Sequence, residues 1–359
     1  MTELPEIGVT ELPEVGVTEL PELPEVGVVM LAYGAEPVLD VAVRAVLASR
    51  GVNVTLVLVD NGCERTDLDA LRAELGFDLV RPSSNLGFTG GVDLGASRLA
   101  APYLALVNSD AVVEPDALGR LVTAAAEPGT GIVSGSIRLA RDPSVMNSAG
   151  NPLHFLGLCW AGGLDEPASS HQEPVDVAAA SGAAMALRRE VWDALGGFPL
   201  EFFAYQEDLD LSWRCWQRGL RVRYVPDAVV VHHYEFSRNE LKMYLLERNR
   251  LLFVLTCYGG RTLALLAPAL VAFELAMAVI AGTQGWGWQK VRGWGWVLAH
   301  LGWVRARRRA VQGARTVPDR ELTALWVDRF DAAAMPLPAA AAPLQSVLAG
   351  YWHLVRRAL

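Results

Sequence analysis

The chain has 359 residues, enough for a full α/β core plus an appendage. Its formal charge of −9 is concentrated in residues 1–25, which hold seven glutamates and no basic residue. The remainder is near −2, so the acidic balance specifies no partner, and no nucleic-acid partner is expected. Cys63, Cys159, Cys215 and Cys257 lie far apart with no CxxC pair, which excludes a zinc knuckle or a dithiol redox motif and reads as reduced, cytosolic cysteines. The N-terminus has neither the basic start nor the continuous apolar core of a secretory signal, so nothing in it directs export.

Residues 2–26 repeat Thr-Glu-Leu-Pro-Glu followed by Ile/Val-Gly-Val, with Pro5, Pro13, Pro21 and Pro24 barring regular helix. This segment, residues 1–25, is expected to be a disordered tail. Val26-Gly27-Val28-Val29-Met30-Leu31-Ala32-Tyr33 then reads as a buried parallel strand. A helix is expected over 37–50, a second buried strand over 54–59 ending at Asp60-Asn61-Gly62, a helix over 66–75 and a strand over 77–81. A Gly-rich element over 85–95 and a strand over 103–107 continue the alternation, which implies a doubly wound, mainly parallel sheet. Ligands of such sheets sit beyond the strand C-termini, where Asp60 and Asn108-Ser109-Asp110 would share one edge. Residues 111–180 read as irregular excursions over the sheet edge. Ser181-Gly182-Ala183-Ala184-Met185 opens a small-residue strand, and a last strand over 228–231 precedes His232-His233.

Past Arg250 the composition changes. Residues 262–282 form an apolar run broken by Pro268 and Glu274, close to the length that crosses a hydrocarbon core of roughly 30 Å. Trp286, Trp288, Trp294, Trp296 and Trp303 follow, interleaved with Lys290, Arg292 and Arg305 to Arg309. Aromatic rings beside cations suit a segment lying at headgroup level, so residues 262–310 are read first as interfacial, then as a packed hairpin, then as a span. The expected divisions are the tail 1–25, a catalytic domain 26–255, a Trp-rich basic helical region 256–312, and a C-terminal tail 313–359 with a short helix.

One stretch concentrates carboxylates among aromatics: Gly197-Phe198-Pro199-Leu200-Glu201-Phe202-Phe203-Ala204-Tyr205-Gln206-Glu207-Asp208-Leu209-Asp210. Two readings are open. The acids can complement the dipole of a helix that runs to about Arg218 and stops at Gly219. Alternatively, apolar surroundings raise a carboxyl pKa toward the range of a general base. No GxGxxG follows the first strand, where the sequence is Ala32-Tyr33-Gly34-Ala35-Glu36-Pro37, and no P-loop is present. Strand-end acids remain: Asp60 can accept from a base or ribose, and Asp110 can hold Mg²⁺ or Mn²⁺ on a diphosphate.

In order along residues 26–255, Val59-Asp60-Asn61-Gly62, Asn85-Leu86-Gly87-Phe88-Thr89-Gly90-Gly91, Asn108-Ser109-Asp110, Ser181-Gly182-Ala183-Ala184-Met185, Gly197-Phe198 through Asp210, and Glu247-Arg248-Asn249-Arg250 together resemble the family 2 glycosyltransferases, in their bacterial rhamnosyltransferase-like branch. The resemblance implies a GT-A fold with a C-terminal helical, membrane-associating region, a nucleotide-diphosphate sugar donor such as dTDP-rhamnose, and inversion at the anomeric carbon. It implies a glycan or lipid-linked glycan acceptor in cell-envelope polysaccharide synthesis, at the cytoplasmic face of the membrane. Tyr33 and Asp60 would contact base and ribose, and Asn85 with Gly87 and Gly90 would let the backbone close on the nucleotide. Asp110, with Asn108 beside it, would hold Mg²⁺ or Mn²⁺, and His232 or His233 would be a distal metal or diphosphate contact. Asp208 would be the general base and Glu207 would shape its setting. The triplet NSD stands in place of DxD, which leaves Asp110 as the firm ligand. Asp93 replaces a frequent Asn and is expected to alter base or phosphate contacts. Two alternatives are a sugar-phosphate nucleotidyltransferase, whose basic Gly-rich loop is missing, and a binding homologue without activity, against which intact Asp110 and Asp208 argue.

Overall fold

The computed structural model describes residues 22–233, 239–331 and 342–359, with side chains from 345 onward in the last segment. Nearly all of the N-terminal repeat lies outside the described residues. The first half alternates as the apolar pattern requires: β1 (Glu25–Gly34), α1 (Leu39–Leu47), β2 (Asn53–Cys63), α2 (Leu68–Leu75), β3 (Asp78–Val80), α3 (Gly87–Ala96), β4 (Tyr103–Val107), β5 (Ala111–Val113) and α4 (Ala117–Ala126). Then come β6 (Thr130–Leu139), β7 (Asp142–Ser148), β8 (Leu153–His154), β9 (Val175–Asp176), β10 (Ala184–Arg188), α5 (Arg189–Leu195), α6 (Glu207–Gln217) and β11 (Arg221–His232).

Among the described residues the main sheet runs β3-β2-β1-β4-β10-β6-β11-β5, with β7 on β6 and β9 on β11. The strands β3, β2, β1 and β4 are parallel, β10 is antiparallel to β4 and β6, and β11 is parallel to β6. Val26, Val28, Met30, Leu56, Leu58 and Ala105 meet α1, α2 and α4 on one face, while Val29, Val57, Val59, Leu104 and Leu106 meet α3, α5 and α6 on the other. A strand apolar at every position is therefore buried on both sides.

Residues 111–180 depart from expectation, because they hold β6, a ten-residue strand in the middle of the sheet. Its sequence, Thr-Gly-Ile-Val-Ser-Gly-Ser-Ile-Arg-Leu, is interrupted by glycines because neighbours press on the backbone. A Cβ at Gly131 would stand 2.2 Å from Cys215 Sγ of α6, and one at Gly135 would stand 2.9 Å from the Ala228 carbonyl oxygen of β11. The Gly-rich element over 85–95 is largely the helix α3, and its glycines also serve packing: a Cβ at Gly91 would lie 2.2 Å from Leu31 Cδ1.

The C-terminal part is helical, with α7 (Glu240–Cys257), α8 (Gly260–Thr283), α9 (Gly287–Ala299), α10 (Leu301–Gly313), the single turn α11 (Asp319–Leu322), a two-residue strand β12 (Trp326–Val327) beside β8, and α12 (Ala342–Ala358). Among the described residues α8 is the one helix long and apolar enough to cross a membrane. Its Glu274 turns inward, pairing with Arg250 and Lys290 and accepting from Trp294 Nε1 at 2.7 Å. Its opposite face leaves Val271, Leu275 and Val279 exposed at 59, 62 and 68%.

Candidate active site

A cavity of about 340 Å³ opens beyond the C-terminal ends of β1, β2 and β4. Tyr33, Glu36, Asn61, Asn85, Asn108 and Asp110 line one side, and Phe203, Ala204, Tyr205 and Lys242 line another. The Asx groups build its floor. Asn61 Nδ2 donates to Asn85 Oδ1 at 2.8 Å, Asn61 Oδ1 accepts from the Leu86 N–H at 2.9 Å, and Asn85 Oδ1 also accepts from the Gly87 N–H at 2.8 Å. Gly87 has φ +69°, and a Cβ there would meet the Phe203 carbonyl oxygen at 2.3 Å. Only glycine fits that combination of left-handed backbone and close approach.

The expected residues are distributed as follows. Tyr33, Asn85, Gly87, Asn108 and Asp110 line the cavity. Asp60 turns toward its own loop, accepting from the Gly62 and Cys63 N–H groups and from Arg81 Nε at 3.0 Å. Burial opposes the Asp60 charge, but those partners outweigh it and hold the pKa below the usual range. Gly90 packs against Leu86 and Leu200. Asp93 accepts from the Phe198 N–H at 3.2 Å beneath the Gly196-Gly197 turn and so secures that turn. Burial raises the Asp93 pKa to about 6, against the weaker pull of the Phe198 N–H and Arg214.

Strand alternation separates the histidine doublet. The His232 side chain is buried with Nε2 3.1 Å from Asp110 Oδ1 and Nδ1 2.8 Å from Asn147 Oδ1, whereas His233 is exposed and contributes its backbone N–H to the Asp110 carbonyl at 2.9 Å. A tautomer with Nδ1–H donating to Asn147 would leave Nε2 free to ligate a metal beside Asp110, the arrangement that metal-ligating histidines use. Asp110 and His232 thus converge as a pair that could ligate a metal, and among the described residues no group of three His, Cys, Asp or Glu forms a complete cage. A hard divalent cation that takes its remaining ligands from phosphate and water fits such a pair.

Glu36 was not singled out by sequence, yet it lines the same cavity close to Asp110. Burial raises its pKa to about 7, a Ser109 hydrogen bond partly offsets this, and the Asp110 charge adds to the rise. Ser109 Oγ also donates to the Leu31 carbonyl at 2.6 Å, which ties the Asn108-Ser109-Asp110 turn to the end of β1.

The acidic stretch does both things that its sequence allowed. Glu207, Asp208 and Asp210 occupy the first turn of α6. Asp208 accepts from the Gly182 N–H at 3.1 Å and the Leu209 N–H at 2.8 Å, and the Asn108 N–H donates to the neighbouring Ala183 carbonyl at 3.0 Å, so a short chain of backbone contacts joins the Asp110 turn to Asp208. Burial pushes both the Glu207 and Asp208 carboxyls above the ordinary range, and the adjacent Asp208 charge raises Glu207 further. Asp210 behaves oppositely. Burial works against its charge, but Arg307 and Arg214 override it and hold the pKa low.

The loop before α6 is strained. Phe203, Tyr205 and Gln206 have φ of 64, 70 and 68°, a region that side-chain-bearing residues seldom occupy. Asn249 of α7 holds it: its Nδ2 lies 3.0, 2.8 and 2.8 Å from the carbonyl oxygens of Phe202, Ala204 and Tyr205. Arg248 NH2 donates to the Glu201 and Phe202 carbonyls at 2.6 and 2.9 Å. The motif Glu247-Arg248-Asn249-Arg250 is therefore a brace for this loop.

The sequence profile of the glycosyltransferase-like family 2 matches residues 24–253. The chain belongs to that family. It is accordingly a glycosyltransferase, an enzyme of the EC 2.4 type. It is 27% identical over 237 residues to the N-acetylglucosaminyl-diphospho-decaprenol L-rhamnosyltransferase of Mycobacterium tuberculosis, covering 58% of this chain and 76% of the relative. It is 28% identical over 151 residues to the O-antigen biosynthesis protein RfbC of Myxococcus xanthus, covering 40% of this chain and 12% of that one. In fold, this glycosyltransferase resembles GalNAc-T7 solved with UDP, GalNAc and Mn²⁺, at TM-score 0.55 and 17% identity over 68% of this chain and 51% of that one. It also resembles the mannosyltransferase PcManGT of Pyrobaculum calidifontis solved with GDP-Man and Mn²⁺, at TM-score 0.50 and 17% identity over 94% and 87%. The expected GT-A fold and family are thereby shown.

Proposed function

We propose that this glycosyltransferase inverts the anomeric carbon of a nucleotide-diphosphate sugar while moving it to a glycan or lipid-linked glycan acceptor in polysaccharide synthesis. The observation that carries the reading is the chain of backbone contacts from the Asp110 turn, which lines the cavity that would take the nucleotide, to Asp208, a carboxyl of raised pKa. Asp208 would accept the proton of the acceptor hydroxyl as that oxygen attacks from the face opposite the departing diphosphate. Asp110 and His232 would hold Mg²⁺ or Mn²⁺, which when bound neutralises charge on the leaving diphosphate. Glu207 shapes the setting of Asp208, and Tyr33, Asn61 and Asn85 would meet the nucleoside. The Mycobacterium relative, named for L-rhamnosyl transfer to a diphospho-decaprenol-linked sugar, supports dTDP-rhamnose as donor and a polyprenyl-linked acceptor. A panel of nucleotide sugars incubated with Mn²⁺ or Mg²⁺ and scored for donor hydrolysis and transfer tests this. Turnover of none of them would reject it.

The Asp110→Ala variant should lose the Mn²⁺-dependent part of nucleotide binding, so that Mn²⁺ no longer raises the melting temperature in the presence of the nucleoside diphosphate as mass action requires of the wild type. An undiminished Mn²⁺-dependent shift would remove Asp110 from this role.

The reading extends to the membrane. With Glu274 tied inward and Val271, Leu275 and Val279 outward, α8 suits lying on a bilayer at its cytoplasmic face better than crossing it, and Trp288 and Leu298 of α9 are exposed as well. Burying each such aliphatic side chain is worth roughly 2 kcal/mol, so Leu275→Gln with Val279→Gln, which leaves the net charge unchanged, should release the protein from sedimenting phosphatidylglycerol vesicles. Unchanged co-sedimentation would refute interfacial attachment through α8.

A further inference from the structure

The cavity carries a charge imbalance. Glu36 and Asp110 line it, and among its described lining residues Lys242 is the single Lys or Arg. A nucleoside diphosphate brings further negative charge into the same half-enclosed space, where the low local dielectric magnifies repulsion. A metal on Asp110 answers part of this; a fixed cation elsewhere on the cavity wall would answer more.

Lys242 stands in the first turn of α7, with its backbone N–H donating to the Asn239 side chain at 2.8 Å. Its Nζ lies 5.4 Å from the centre of the Tyr205 ring, which holds the ammonium group against the strained loop leading to Asp208. Burial lowers the Lys242 pKa below the ordinary lysine value. An anion arriving beside it would favour the charged form again, so binding of the anion and protonation of Lys242 reinforce each other. An ammonium group is a compact point charge that needs no fixed approach angle to phosphate, unlike a guanidinium fork.

We infer that Lys242 is a donor-binding residue whose ammonium group, on the α7 wall of the cavity, takes the diphosphate of the nucleotide sugar. This rests on the proposed nucleotide-sugar reading of the cavity. It also gives α7 two duties at one loop: Asn249 holds the backbone of that loop, and Lys242, seated on its Tyr205, meets the ligand.

The test compares ligands with and without the diphosphate. UDP, dTDP and GDP, and the matching nucleosides uridine, thymidine and guanosine, are titrated by calorimetry into the full chain with Mn²⁺. Loss of one charge-assisted contact should weaken the best nucleoside diphosphate roughly 10- to 100-fold in Lys242→Met, while its nucleoside changes by less than about twofold. Lys242→Arg should recover most of the affinity, and Lys242→Gln provides the same comparison should the Met variant not fold. Equal losses for diphosphate and nucleoside, or no loss for either, would overturn the inference and leave the nucleotide-sugar reading standing. A wild-type chain that binds none of the three nucleoside diphosphates would overturn both.

Discussion

Asp208→Asn is expected to lower transfer roughly 10²- to 10⁴-fold while leaving nucleoside diphosphate affinity near that of the wild type, because a general base contributes about that much and acts on the acceptor. The substitution keeps size and leaves an amide oxygen able to accept from the Gly182 and Leu209 N–H groups, so the first turn of α6 should persist. The pH profile gives a second readout. Asp208 must be ionised to take a proton, and burial raises its pKa, so activity should rise with pH along an acidic limb lying above the ordinary carboxyl value of about 4. Glu207 is adjacent and also raised, so the limb reports the pair rather than one group. Steady-state rates and dTDP or UDP titrations of the two proteins decide the matter. A variant with half the wild-type rate would exclude Asp208 as the base.

Asp210→Asn should instead act on stability. Asp210 is fully buried between Arg214, whose Nε donates at 2.7 Å, and Arg307, whose NH2 lies 2.6 Å from both carboxylate oxygens. Removing the one negative charge leaves two guanidinium groups buried against each other, a change worth about 3–5 kcal/mol. Denaturant unfolding should show that loss, and the double variant Asp210→Asn with Arg307→Met should recover part of it because one uncompensated charge is gone. Were Asp210→Asn to cost under about 1 kcal/mol, the triad would not be the strut between α6 and α10 that its burial implies.

Much of this was legible from residues and some was not, for physical reasons. Strands β1, β2 and β4 read directly because they are buried on both faces and so stay apolar at every position. β6 did not, since Gly131 and Gly135 yield to Cys215 and Ala228, contacts that are distant in sequence. Asp110 and Asp208 were singled out through short motifs whose spacing is readable in one chain. Lys242 and Glu36 carry no local signature, and only the fold brings them to the same cavity. Asp60 and Gly90 were expected at the nucleotide from their motifs; the structure adds that Asp60 also ties its own loop and Arg81, and that Gly90 packs on Leu86, contacts the motifs do not announce. The partnership of Asp210 with Arg307 spans 97 positions and leaves no periodic trace.

The bracing of the loop at 203–206 from α7, and of α6 from α10, bears on how this enzyme can be handled. Shortening the chain at the end of its family-matched segment, residue 253, would keep Asn249 but remove Arg307, leaving Asp210 with Arg214 alone. A version without the exposed apolar stripe is better sought by placing polar side chains on the outward face of α8 than by truncation there, because cutting the chain at α8 also removes α10, whose Arg307 pairs with Asp210.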